Sequence, residues 1–94
     1  MIITFLPVAA AESLKRDAIV CYAVVDGREV PCEVSKETLI AKHEYDPESG
    51  TSLLDGFEAK RGDIEGIIRN EINWRGNYPF GRITYAFGSV RFSA

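Results

Sequence analysis

Apolar and polar positions change their period several times along this chain. Ile2-Ile3-Thr4-Phe5-Leu6 is a short β-rich run closed by Pro7 and predicts a first strand. Residues 8–17 mix Ala, Glu, Ser, Lys and Arg without a period and predict a loop or a single helical turn. Ala18 to Val25 and Arg28 to Val34 are both β-rich, and Asp26-Gly27 lies between them. Asp-Gly in that position predicts a hairpin, because a type I′ turn needs positive φ at both central residues. The two-residue loop sets Val25 opposite Arg28, Ala23 opposite Val30, Cys21 opposite Cys32 and Ile19 opposite Val34. One face then carries Ile19, Cys21, Ala23, Val25, Val30, Cys32 and Val34. The other carries Glu29, Pro31 and Glu33 across from Val20, Tyr22 and Val24. A slip of one residue would bury both glutamates, so the register is well specified. Pro31 has no N–H for a ladder, and its nitrogen is expected to face a sheet edge.

Ser35 suits an N-cap and opens a short helix predicted from Lys36 to about His43. Asp46 to Gly50 has loop composition. Ser52, with Asp55 three residues on, resembles a capping box. From there Leu53, Leu54, Phe57, Ile64, Ile67, Ile68 and Ile72 keep helical phase. They predict one long helix, about Leu53 to Trp74, or two helices broken at Gly62, since each internal glycine costs roughly 1 kcal/mol against Ala. Arg75 to Pro79 ends it. Ile83, Tyr85 and Phe87 alternate with Arg82, Thr84 and Ala86 as a half-buried strand. Gly88-Ser89 fits a type II′ turn returning along Val90-Arg91-Phe92, with a bulged single strand as the alternative. The predicted fold is a single α+β domain over residues 1–94. An antiparallel sheet of strand 1, the Asp-Gly hairpin and a C-terminal strand or hairpin carries one short and one long helix on one face.

Composition adds limits. Of 94 residues, 46% are hydrophobic and 27% charged, with a formal net charge of −3, as in an ordinary globular domain. That charge argues against general nucleic-acid binding. It is unevenly spread: residues 1–59 carry five basic and eleven acidic side chains (net −6), residues 60–94 six basic and three acidic (net +3). The apolar stretch Ile2 to Ala11 looks slightly like a signal peptide but lacks a basic leader and is interrupted by Thr4 and Pro7. No membrane span and a cytoplasmic location are expected, and two cysteines fit a reducing compartment.

The run Ala18 to Ser35 with Leu39, followed by the spacing Leu54, Phe57, Arg61, Ile64, Glu65, resembles a family of small bacterial proteins known only as domain of unknown function 1488. The resemblance extends over about residues 2–92. It implies an α+β fold and no established activity, and it carries no catalytic residue to transfer. The aromatic segment Trp74 to Phe92 departs from the family pattern.

Candidate chemistry is sparse. Cys21 and Cys32 fall opposite each other, close enough in register for a disulfide, though two buried thiols packing as small hydrophobes is the simpler reading. They form no CxxC motif. His43, with Glu44 and Asp46 nearby, suggests a metal or acid–base site, but a zinc site wants three or four N/S ligands and no second histidine exists. No nucleophile elbow, phosphate-binding or dinucleotide glycine motif is present. No catalytic residue, metal or cofactor is therefore expected, and the chain is not read as an enzyme. Arg61, between Phe57 and Ile64, reads first as a structural ion pair with Glu65; a small-ligand site near Arg61 and His43 is the rival. Trp74, Arg75, Tyr78, Phe80 and Arg82 interleave aromatics with arginine and could stack bases as a nucleic-acid or regulatory binder would, but two arginines are too few to dominate at physiological salt. Finally, Gly56, Ala59, Asp63, Gly66, Asn70 and Asn73 recur at spacings of 3 and 4 as a line of small residues that would let a partner helix approach closely. The leading expectation is a non-enzymatic interaction module, with a homodimer or another protein as partner.

Overall fold

The computed structural model describes residues 1–7, 10–15, 17–75 and 81–94. Strand β1 (Ile3–Phe5) is followed by β2 (Ala11–Glu12), β3 (Ala18–Val25) and β4 (Arg28–Ser35). Three helices come next: α1 (Lys36–Lys42), α2 (Leu53–Ala59) and α3 (Arg61–Arg75). The chain closes with β5 (Arg82–Ala86) and β6 (Ser89–Ser93). The main path of the sheet is β1-β3-β4-β5-β6, with β2 pairing β3. Among the described residues no helix is long and apolar enough to cross a membrane.

The central hairpin follows its sequence closely. Cys21 pairs Cys32, Ile19 pairs Val34 and Val25 pairs Arg28. Asp26 and Gly27 take φ of 50° and 84°, the positive pair that this turn requires. Ile19, Cys21, Ala23, Val25, Val30, Cys32 and Val34 are all buried. They join Leu39 of α1, Leu53 and Phe57 of α2 and Ile64, Ile68 and Ile72 of α3 in one core cluster. Both anticipated caps form. The Thr38 N–H donates to Ser35 Oγ at 3.1 Å, and the Asp55 N–H to Ser52 Oγ at 3.1 Å. Each satisfies an orphan donor in a helical first turn.

The structure corrects several expectations. The sheet is mixed: β4 and β5 run parallel, Cys32 to Val34 against Ile83 to Tyr85. The intervening helices carry the chain back to start β5 in the direction of β4, as a parallel pair demands. Strand β4 is therefore internal. Pro31 lies one residue before this ladder begins, so its missing N–H meets the end of a ladder rather than a sheet edge.

The expected long helix is two helices, and the break falls at Lys60, not Gly62. The Lys60 N–H bonds Phe57 O at 3.0 Å, a tightened turn, and the ladder restarts from its own carbonyl to the Ile64 N–H. Gly62 sits inside the first turn of α3. Arg61, just past the break, bonds Glu58 before it and Glu65 after it, which fixes the junction there. Within α3 the seam narrows to Ile64, Ile68 and Ile72, leaving Ile67 at the exposed margin.

At the C-terminal end a true hairpin forms, but its turn is Phe87-Gly88 rather than Gly88-Ser89, with φ of 51° and 74°. Val90 lies opposite Tyr85 and Phe92 opposite Ile83. Helix α1 covers the turn: a Cβ on Gly88 would stand 2.7 Å from Lys42 Cε, and the Gly88 N–H reaches Thr38 Oγ1 at 3.5 Å. Only glycine combines that φ with that space. Phe87 is turned outward, 79% exposed, instead of continuing the buried stripe. Finally, the segment read as a loop contributes β2, whose two residues pair Val20 and Ile19.

Candidate functional site

The candidate residues separate into groups that the fold uses and groups that it leaves exposed. Arg61 belongs to the first. Its Nε donates to Glu65 Oε2 at 2.9 Å, Nη1 to Glu58 Oε1 at 2.8 Å and Nη2 to the Leu6 carbonyl at 3.1 Å. Its guanidinium also lies over the Phe57 ring, 5.7 Å from the centroid. The bond to Glu65 leads the effects that raise its pKa, with the Glu58 charge adding to it. This side chain clamps the α2–α3 junction to the chain leaving β1, a structural role wider than the ion pair with Glu65.

His43 is the C-cap of α1 and is buried. Glu44 follows in left-handed backbone, φ 58°, and turns the chain so that the Tyr45 N–H returns to Leu39 O at 3.0 Å. The His43 ring meets Tyr85 edge-on, and its Nε2 bonds Tyr85 Oη at 3.0 Å. Burial lowers the His43 pKa against the opposing pull of Asp63, which favours the neutral ring. Below it lies a hollow of about 250 Å³ bordered by His43, Tyr45, Gly56, Ala59 and Lys60. Its polar groups are largely spent on the protein itself. Glu44 faces Lys60 at 3.8 Å, Asp46 Oδ1 accepts the Glu48 N–H at 2.9 Å, and Tyr45 Oη donates to Thr51 O at 2.9 Å. Arg61 does not border this hollow, so the two residues of the small-ligand reading belong to separate networks.

Cys21 and Cys32 are buried free thiols. Their mutual hydrogen bond, then burial, push the Cys21 thiol well above its ordinary range. A thiol so held is a poor nucleophile. Among the described residues no three His, Cys, Asp or Glu side chains gather as a metal site would need.

The line of small residues is divided by the break at Lys60. Gly56 is buried, and a Cβ there would run into the Tyr45 ring, so the close approach at this glycine is made by the chain's own loop. Gly66 has open space above it, and Asp63, Asn70 and Asn73 are exposed. The aromatic–arginine segment is likewise split. Trp74 is 86% exposed, whereas Arg75 lies 4.9 Å from the Phe92 ring centroid. Phe92 points to the core side of β6, and Arg82 points to the other side of the sheet. Tyr78 and Phe80 lie outside the described residues.

The feature that sequence reading missed is on the uncovered face of the sheet. Val20 and Tyr22 floor a trough of about 570 Å³ there. Leu14 stands fully exposed at its wall, and Asp17, Glu33 and Lys15 are among the described residues that line it. Asp17 accepts from Ser13 Oγ at 3.0 Å, while neither Glu12 nor Glu33 has an ion pair among the described residues. The signal lay in the net −6 of residues 1–59, but only the fold brings Asp17 and Glu33 to one trough.

A mixed sheet with helices supplying its buried face and a bare, charged opposite face defines a small α+β domain. The chain belongs to the family described as protein of unknown function (DUF1488), which matches residues 3–84. No curated protein and no solved structure matches it.

Proposed function

We propose that this domain is a protein-interaction module without catalytic activity, and that it works through the uncovered face of its sheet. One observation carries the reading: that face holds an open trough where a fully exposed leucine and a tyrosine sit beside Glu33, which has no ion pair among the described residues. Exposed apolar surface rimmed by polar groups marks a docking surface more often than a reaction site. The hollow beneath His43 supports the rival less well, because its histidine and Tyr45 are bonded to Tyr85 and Thr51, and Glu44 and Asp46 face Lys60 and the Glu48 N–H. Nucleic acid is disfavoured by the net charge and by the engagement of Arg75 with Phe92.

The test compares an affinity-tagged chain with its Tyr22→Glu and Gly66→Leu variants. Retention of a partner by the wild type and by Gly66→Leu, with loss in Tyr22→Glu, supports the open face. Retention that survives Tyr22→Glu but is lost in Gly66→Leu overturns it in favour of the helix line.

A further inference from the structure

We propose that the uncovered face binds a second copy of this chain, face to face, with Arg91 of each copy entering the trough of the other. The inference rests on reading this face as a docking surface and names its occupant. Ala11, Val20, Glu33, Thr84 and Arg91 form one row straight across the sheet, each paired with the next. The row is acidic on the β4 side, where Glu33 adjoins the trough, and basic on the β6 side, where Arg91 is exposed. Arg82, two residues before Thr84 on β5, adds a second cation to the basic half.

A face divided this way is complementary to itself. Strands lie about 4.8 Å apart. A two-fold axis parallel to them, midway between β4 and β5, lays β3 over β6 of the second copy and β4 over its β5. Arg91 of the second copy then sits above Val20, beside Glu33. Glu33 sits above Thr84 of the second copy, one row from its Arg82. The symmetry repeats every contact, so Glu33 of each copy meets cations of the other. Between them lie Val20, Tyr22, Pro31 and Thr84, which carry no charge. Five short strands make a patch below standard interface size, so the association is reversible and concentration-dependent.

Sedimentation equilibrium on the wild type, Glu33→Arg, Arg91→Glu and their equimolar mixture decides the matter. Both side chains lie on the uncovered face, and unchanged melting temperatures confirm that the variants fold; if either does not, Glu33→Gln and Arg91→Gln replace them. The wild type should dimerise, more weakly as salt rises. Each reversal alone should weaken dimerisation by about tenfold or more, since it sets like charges together twice. The mixture should recover association through unlike chains. A wild type that stays monomeric at millimolar concentration, a dimer indifferent to both reversals, or a mixture that fails to recover overturns the proposal. If the wild type is monomeric while Tyr22→Glu still abolishes capture of a different protein, the second copy is excluded and the docking face stands. If Tyr22→Glu also leaves capture unchanged, both readings fall.

Discussion

Along β3, Ile19, Cys21 and Ala23 point to the helices, while Val20, Tyr22 and Val24, one residue away in each case, point to solvent. The strand is equally apolar on its two sides; what differs is the cover. On the helix side, close packing removes water, pairs thiol with thiol and leaves no buried polar side-chain atom without a partner among the described residues. On the other side, the same strand ends up beneath an open trough with carboxylates at its rim. Apolar character in a strand therefore does not reveal whether it serves folding or recognition. The neighbouring layer decides.

The comparison can be broken most forcefully at adjacent residues. Ile19→Ala should lower unfolding free energy in urea by about 2–5 kcal/mol, because it opens a cavity in a close-packed core. Val20→Ala should stay within about 0.5 kcal/mol, as surface changes do. Equal losses would mean that the uncovered face is covered in solution. Next come the two glycines of the small-residue line. Gly56→Ala forces the Tyr45 ring to move and should cost about 1–3 kcal/mol. Gly66→Ala meets open space in a helix and should instead stabilise by up to about 1 kcal/mol. Calorimetric melting of the pair reads both signs.

A smaller effect is expected at His43. Tyr85→Phe removes the hydroxyl that bonds Nε2 and should cost about 0.5–1.5 kcal/mol. The sign of the pH dependence follows from burial. Folded His43 resists protonation below its ordinary value of 6.5, whereas the unfolded chain accepts the proton. Its contribution is present above 6.5 and is lost as pH falls below it. Urea midpoints taken between about pH 7.5 and pH 5 should show this loss, and His43→Gln should reduce the slope. Smallest of all is the rate of thiol labelling: both cysteines should react slowly in the native protein, and rapid labelling would show that the inner face opens readily.

Local signals proved readable where one interaction set the outcome. Asp26-Gly27 with alternating Val30, Cys32 and Val34 determined a register that the structure reproduces pair by pair. Ser35 and Ser52 marked two helix starts in the same way. Tertiary context governed the rest. Three apolar isoleucines and Phe57 share a helical phase whether or not the helix breaks, so periodicity could not locate the interruption that Arg61 spans. Phe87 alternated correctly for a buried strand but met a turn covered by α1. The parallel partner of β4 had no local signature. As for the candidate site, charge counting detected acidic and basic halves of the chain, yet only the register of three paired strands brings Glu33, Thr84 and Arg91 into one row.

That row crosses the sheet where the covalent chain is farthest from itself. The β3–β4 and β5–β6 hairpins each close through a two-residue turn, but they meet only in the short parallel ladder joining residues 32–34 to 83–85. In kinetic terms the two hairpins are local, fast-forming units, and their union is a non-local event that waits for the intervening helices to collapse. The last hairpin can therefore detach as a unit of its own, exposing the inner edge of β4 while the first hairpin stays folded. Amide hydrogens of β5 and β6 should exchange together and ahead of those shared between β3 and β4. A second copy bridging the two hairpins would slow precisely that detachment.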